Sequence, residues 1–204
     1  MKRSRRAATL PVAFFERDVE TVARELLGAE LETTFRGCRT VGRIVEVEAY
    51  LGAEDPASHA YRHRRHAQNA SLYLPPATWY VYLSYGMHWC ANLVAGEPGR
   101  GGAVLLRAIE PLEGVGAMAR RRGLQQPRLL GAGPGRLCQA LGITRARLDG
   151  VLMPASQAVV RLPLATSGSF EIVTTPRIGI TKAAEWPLRF LVRGSGFVSG
   201  KREP

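Results

Sequence analysis

Lysine is nearly absent: Lys2, Lys182 and Lys201 are the only three in 204 residues. Two stand near the ends and none lies in the aromatic-rich stretch, so catalysis through a lysine Schiff base has no amine to use there. Cysteine is equally sparse. Cys38, Cys90 and Cys138 are odd in number, widely spaced and set in apolar or mixed runs. That argues against a disulfide framework and suits buried thiols in a reducing compartment. No apolar stretch is long enough to span a membrane, and there is no internal repeat, low-complexity tract or clear linker. The N-terminal Met-Lys-Arg-Ser-Arg-Arg and the following residues 7–15 have the outline of a signal peptide. The apolar run is short, however, is broken by Pro11, and leads into Glu16-Arg17-Asp18 without a cleavage site. Residues 1–15 therefore read as a basic, flexible arm ahead of a single domain over 16–200.

Acidic charge is scarce as well. Against 28 basic residues, 25 of them arginine, stand 17 acidic ones, for a formal net charge of +11. A field of that sign attracts polyanions, and the planar guanidinium matches phosphate, so nucleic acid is the expected partner. The 46% hydrophobic and 22% charged fractions are those of a globular protein with one good core.

What is abundant is concentrated. All six tyrosines, all four histidines and two of three tryptophans lie between Arg43 and Arg107. The stretch opens with Arg43-Ile-Val-Glu-Val-Glu-Ala-Tyr50, whose alternation puts Val45, Val47 and Ala49 on one strand face and Glu46, Glu48 and Tyr50 on the other. Trp79 to Tyr85 reads as a strand ending at Gly86, where reversal is easy, so Tyr85 is expected at a hairpin tip. The return strand Trp89 to Val94 carries one amide, Asn92, and the strand Ala103 to Ile109 carries one cation, Arg107. Each needs a partner if buried.

Between these strands runs a long polar connection, 52–76, containing His59-Ala-Tyr-Arg-His-Arg-Arg-His66. Basic and aromatic residues together suit phosphate contact and base stacking. His59 and His63 stand four apart, but without a carboxylate pair or Cys-x-x-Cys and with arginines interleaved they do not make a metal set. Elsewhere, Asp18 caps a helix ending at Gly28, and a strand spans Ala29 to Phe35 with a turn at Arg36-Gly37. Glu110-Pro111 opens a helix ending in Arg120-Arg121-Arg122-Gly123, and Gly133-Pro134 starts another that ends at Gly142. Short strands are expected at 159–164, 170–174, 178–180 and 188–192. Gly131-Ala-Gly-Pro-Gly135 lacks the Lys-Ser/Thr of a phosphate loop, and no predicted strand leads into it.

These residues resemble the alkyladenine (3-methyladenine) DNA glycosylase family. The matching runs are Arg43-Ile-Val-Glu-Val-Glu-Ala-Tyr-Leu-Gly52, Glu54-Asp55, His59, Tyr80-Val-Tyr, Tyr85-Gly-Met, Asn92 and Leu105-Leu-Arg-Ala-Ile-Glu-Pro-Leu-Glu-Gly114. Gly133 to Ile143, Pro187-Leu-Arg-Phe and Gly194-Ser195 follow in the family's order. The sequence departs from it after His59, where His66-Ala-Gln-Asn69 replaces a commoner Thr-x-Arg-Asn run, a loop glycine is missing near His63, and Leu72 and Tyr73 are unusual.

The resemblance implies an α+β fold: a single mixed domain with a curved, mainly antiparallel sheet, a protruding β-hairpin and surrounding helices. It implies a monofunctional enzyme that flips alkylated or deaminated purines out of duplex DNA and hydrolyses the N-glycosidic bond. Tyr85 would fill the gap, Tyr50, His59 and Tyr82 would wall the base slot, and Asn92 would reject the guanine amine. Glu48 would activate water with Arg107 beside it, Glu46 being the rival on the same face. Arg62, Arg64, Arg65 and Lys182 would contact the DNA backbone. No nucleotide, redox or metal cofactor is implied, and a monomer in the cytoplasm, nucleoid-associated if bacterial, is expected. Two other readings stand beside this one. A silent nucleic-acid-binding module would not need Glu48, and a formyltransferase-like or other small-molecule enzyme would need neither Tyr85 nor the excess charge.

Overall fold

A computed structural model describes residues 8–162 and 170–200. Residues 1–7 of the expected arm lie outside the described residues. From Thr9 the segment packs on the body. Thr9 bridges Arg161, the Leu10 N–H donates to the Val160 carbonyl at 2.9 Å, and helix α1 (Val12–Phe15) buries Phe15 completely. Helix α2 (Val19–Leu26) begins where expected, with the Asp18 carboxylate accepting the Thr21 N–H at 2.9 Å. Its apolar face, Val19, Val22, Ala23 and Leu26, is buried.

Strands β1 (Glu30–Phe35) and β2 (Cys38–Tyr50) form a hairpin across Arg36-Gly37, both at positive φ as a two-residue hairpin turn requires. At thirteen residues β2 is the longest strand, and the sheet is built on it. On one edge it pairs first with β1 and then with β8 (Arg189–Val192); on the other it pairs with β5 (Ala103–Glu113). Beyond β5 lie β4 (His88–Val94) and β3 (Trp79–Ser84), beyond β1 lies β6 (Ala158–Arg161), and β7 (Ile172–Thr175) pairs with β8. Every pairing is antiparallel.

The β2–β5 ladder is irregular at one place: Ile44 faces Ile109, Glu46 faces Ala108 and Val47 faces Leu106, so Val45 and Arg107 are extra residues on their strands. Bulges re-aim side chains. Here Ile44 and Val47, three apart, enter the same core, as do Ile109 and Leu106. Glu46, Glu48 and Arg107 are left together on the other face. Simple alternation placed Val45 with Val47, and the bulge is what separates them.

Helices α3 (Val115–Arg122), α4 (Pro127–Leu130), α5 (Pro134–Leu141) and α6 (Arg145–Leu148) cover the core side, with Met118, Leu130, Leu137, Leu141 and Leu148 buried. The result is one mixed α+β domain with a curled antiparallel sheet. None of the described helices is long and apolar enough to cross a membrane.

Two sequence expectations are corrected. Residues 110–113 continue β5 and do not open a helix, because cross-strand pairs Arg43–Glu110 (2.8 Å) and Arg39–Glu113 hold them to β2. The helix waits for Gly114, at φ +71, where a Cβ would lie 2.5 Å from the Arg39 carbonyl oxygen. Residues 178–180 form a loop, not a strand. The expected strand at 159–164 is β6 over Ala158–Arg161, and its residues 163 and 164 lie outside the described residues.

Ile109 is wedged between two glycines, and a Cβ on Gly42 would lie 2.4 Å from its Cδ1 and 2.9 Å from its Cβ. Gly42→Ala should therefore destabilise the fold by about 1–3 kcal/mol through overpacking. Urea unfolding will show this as a lower midpoint at unchanged m.

Candidate active site

A cavity of about 920 Å³ opens between the end of β2, the β3–β4 hairpin, β5, and the loops around residues 57–68 and 178–180. Tyr50, His59, Tyr82, Tyr85, Asn92 and Arg107 all line it. Elements distant in sequence thus deliver to one place the residues singled out above. Glu48 is fully buried and lies behind this wall, in contact with Tyr50, Arg107 and Ile178, which do face the cavity.

The two carboxylates of β2 differ in what they are bound to. Glu46 Oε1 accepts from Arg107 Nε (2.9 Å), Arg189 Nε (2.7 Å) and Ser199 Oγ (2.7 Å), and its Oε2 accepts the Ser199 N–H. Four donors thus hold Glu46, three of them on Oε1. Burial alone would raise its pKa. The charges of Arg107 and Arg189 and the Ser199 N–H outweigh burial and hold it below the usual glutamate range.

Glu48 Oε1 accepts the Ile178 N–H at 2.8 Å and pairs with Arg107 Nη1 at 3.1 Å. Its Oε2 takes only the Tyr50 hydroxyl, at 2.9 Å, among the described residues. Room for one more donor remains there. Burial, then the adjacent Glu48 charge, push the Tyr50 hydroxyl far above its ordinary pKa, so it stays a phenol that donates. Arg107 is spoken for on all sides, by Glu46, by Glu48 and by Ser199 Oγ at 3.2 Å from Nη2. It holds the two carboxylates in place; a phosphate would have to compete with them for its fork.

The aromatic walls are fixed by one another. His59 meets Tyr82 edge-to-face at 4.6 Å between centroids, Tyr82 stacks with Tyr80 at 5.3 Å, and His59 Nδ1 shares a 2.7 Å hydrogen bond with the Tyr80 hydroxyl. Burial first, then nearby His66 and Arg64, lower the His59 pKa. The imidazole facing the cavity is thus neutral at neutral pH and does not repel a cation. Asn92, nearly buried, donates from Nδ2 to the Tyr80 carbonyl at 3.0 Å, which orients its amide.

Tyr85 stands at the tip of the β3–β4 hairpin, 82% exposed and at φ +50, with Met87 also exposed beside it. An exposed tyrosine in a left-handed conformation is held there against its own preference. Arg62, Arg64 and Arg65 are exposed on the loop at the cavity mouth, and Lys182 is exposed beyond Ile180. None of the four is ion-paired to a carboxylate among the described residues. Arg62 and His63 are both at positive φ, which is why a glycine would be at home near here. The departures in this loop serve its shape. Asn69 accepts the His66 N–H and donates to the His59 and Arg64 carbonyls at 2.9 and 3.0 Å, while Tyr73 donates to the Arg64 carbonyl and carries Arg65 on its ring at 3.8 Å. His59 and His63 part company, one in the cavity and one exposed, and no group of three or more potential metal ligands converges among the described residues.

Sequence reasoning missed Tyr80, Arg189, Ser199, the Ile178 N–H and the Asp55–Arg177 pair. Arg189 had a signal, a lone cation inside the apolar run 188–192, the same signal that marked Arg107. A backbone donor such as Ile178 has none.

The methylpurine-DNA glycosylase family profile matches residues 13–196. Relatives named "Putative 3-methyladenine DNA glycosylase" from Koribacter versatilis, Agrobacterium fabrum and Methanoculleus marisnigri are 48%, 47% and 48% identical over 197, 195 and 198 residues. The alignments cover 96%, 96% and 94% of this chain and 95%, 94% and 98% of those proteins.

Because the folded pKa of Glu46 is depressed, its contribution to stability is full above the unfolded-chain value of about 4.3 and is lost as pH falls through the lower folded value. Glu46→Gln leaves two buried guanidiniums undercompensated and should cost roughly 3–5 kcal/mol at pH 7. Urea unfolding from pH 3 to 7 should show the variant's acid-side slope shallower than that of the wild type.

Proposed function

Since the chain belongs to the methylpurine-DNA glycosylase family and is a DNA glycosylase, we propose that it acts as a monomer on duplex DNA, flips single alkylated or deaminated purines into the cavity, and hydrolyses their N-glycosidic bond with a water activated by Glu48. The observation that carries this reading is the unequal occupancy of the two carboxylates. Glu46 meets four donors, from Arg107, Arg189 and Ser199, of which Arg107 alone lines the cavity, whereas Glu48 Oε2 takes only the hydroxyl of Tyr50, which faces it, among the described residues. A general base must have a lone pair within hydrogen-bond reach of the proton it takes.

In this mechanism the basic loop with Arg62, Arg64 and Arg65, together with Lys182, holds the phosphate backbone, and the Tyr85 ring enters the space that the base vacates. Extrusion costs a few kcal/mol, part of which a filled gap returns. The purine stacks on Tyr50 and Tyr82 and meets His59 at its edge. The oriented Asn92 amide leaves no room for a guanine amine. Water on Glu48 Oε2 then attacks C1′ as the bond to the base breaks. Its proton passes to Glu48, and the base departs to leave an abasic sugar. Arg107 acts by keeping Glu48 in position. With no lysine amine lining the cavity among the described residues, the strand itself is left intact.

The test is release of the base from a duplex with one central hypoxanthine, ethenoadenine or methylated purine. Wild type should release the base, with strand scission only after alkali. Scission without alkali, or no release from any of the three, overturns the reading. Tyr85→Ala should lower kcat/KM on the duplex roughly ten- to a hundredfold and change release from the single strand far less, since only the duplex has a gap to fill.

A further inference from the structure

Against the Tyr50 ring, and not among the residues that line the cavity, lies a buried cation that the reaction does not use. Arg177 stands over that ring with its guanidinium carbon 4.6 Å from the centroid. Its side chain is wholly buried, as is that of Asp55, with which it forms a fork from Nη1 and Nη2, the latter at 2.9 Å to Oδ1. Nη1 also donates to the Ala49 carbonyl at 3.0 Å, and Nε has no hydrogen-bond partner among the described residues. Asp55 in turn accepts the Leu51 and Ala57 N–H groups. The pair joins the loop after β2 to the loop before β8, two residues that are 122 apart in sequence, and its neighbour Ile178 is the backbone donor to Glu48.

An aromatic face attracts cations through its electron-rich π cloud. A cation already on one face draws that density toward itself and also repels a second positive charge across the ring. Tyr50 therefore offers its cavity face with the pull on cations reduced, while its stacking on a neutral base is little affected. No comparable cation stands over Tyr82 among the described residues. The other charges at the site do not duplicate the effect: His59 is neutral, and among the described residues Arg177, not Arg107 or Arg189, is the cation that stands over the Tyr50 ring.

We propose that Arg177, held by Asp55 against the ring of Tyr50, is a specificity-determining positioning residue that sets the balance between cationic and neutral purines in the slot. It lowers the advantage of cationic bases and so keeps neutral ones competitive. The inference rests on the reading of the cavity as a purine slot walled by Tyr50.

The test compares release of 3-methyladenine, which is cationic in the nucleotide and carries no 2-amine, with release of hypoxanthine, which is neutral, from otherwise identical duplexes under single turnover. Asp55→Asn/Arg177→Gln removes both charges and keeps hydrogen-bonding groups. Asp55→Leu/Arg177→Met, an apolar pair of similar volume, serves if circular dichroism shows the first variant unfolded. The ratio of the two rates, cationic over neutral, should rise roughly two- to tenfold over wild type. Disturbance of Ile178 and Glu48 slows both substrates and leaves the ratio unmoved. A ratio unchanged or lower in the folded variant overturns the role of Arg177 and leaves the slot reading standing. Release of neither base by wild type overturns the slot reading and this inference with it.

Discussion

Two carboxylates two residues apart on one buried strand face repel each other and cost much to desolvate unless cations are buried with them. The ion cluster of Glu46, Glu48, Arg107 and Arg189 answers that constraint, and most of the site depends on it. Arg107 comes from β5 and Arg189 from β8, the two strands that flank the second half of β2. Ser199 adds two more donors to Glu46, its N–H and its hydroxyl. The bulge in the β2–β5 ladder is what brings Arg107 to the side of the glutamates while the core keeps its apolar residues. Fold and site are therefore set by the same local irregularity.

Within the cluster the division of labour follows from acceptor positions. Glu46 holds two guanidiniums and Ser199, and Glu48 is held by one guanidinium with its Oε2 beside Tyr50, which lines the cavity. Around this centre the aromatic residues form a mutually braced wall. His59, Tyr80 and Tyr82 contact one another, Tyr50 is tied to Glu48, and Asn92 is tied to the backbone of Tyr80. Such a slot is formed before anything enters it, which reduces the ordering cost of binding.

Much of this was legible in the sequence because the cues were of the kind sequence displays. The Asp18 cap, the Arg36-Gly37 turn and the Tyr85-Gly86 tip each have a residue type suited to its backbone. A single cation or amide in an apolar strand, Arg107 or Asn92, announces a buried partner. What was not legible lies between strands. The bulge at Val45 and Arg107 has no signature in either strand alone, so the face of Val45 was misassigned. Glu110 and Glu113 looked like the acidic first turn of a helix, and only their registry with Arg43 and Arg39 reveals them as strand residues. Residues 178–180 had strand composition, yet the chain spends the Ile178 N–H on Glu48 and not on a ladder.

The account stands most directly on Glu48 as the residue that takes the proton from water. Single-turnover release of hypoxanthine from a duplex by Glu48→Gln, alongside its affinity for the same duplex carrying an abasic site, measures this. The side chain keeps its shape and an oxygen for its neighbours but loses its basicity. The account predicts release slower than wild type by about 10²- to 10⁴-fold, with affinity for the abasic duplex within roughly tenfold of wild type, a change of about 1.4 kcal/mol or less. Release at the wild-type rate would contradict it.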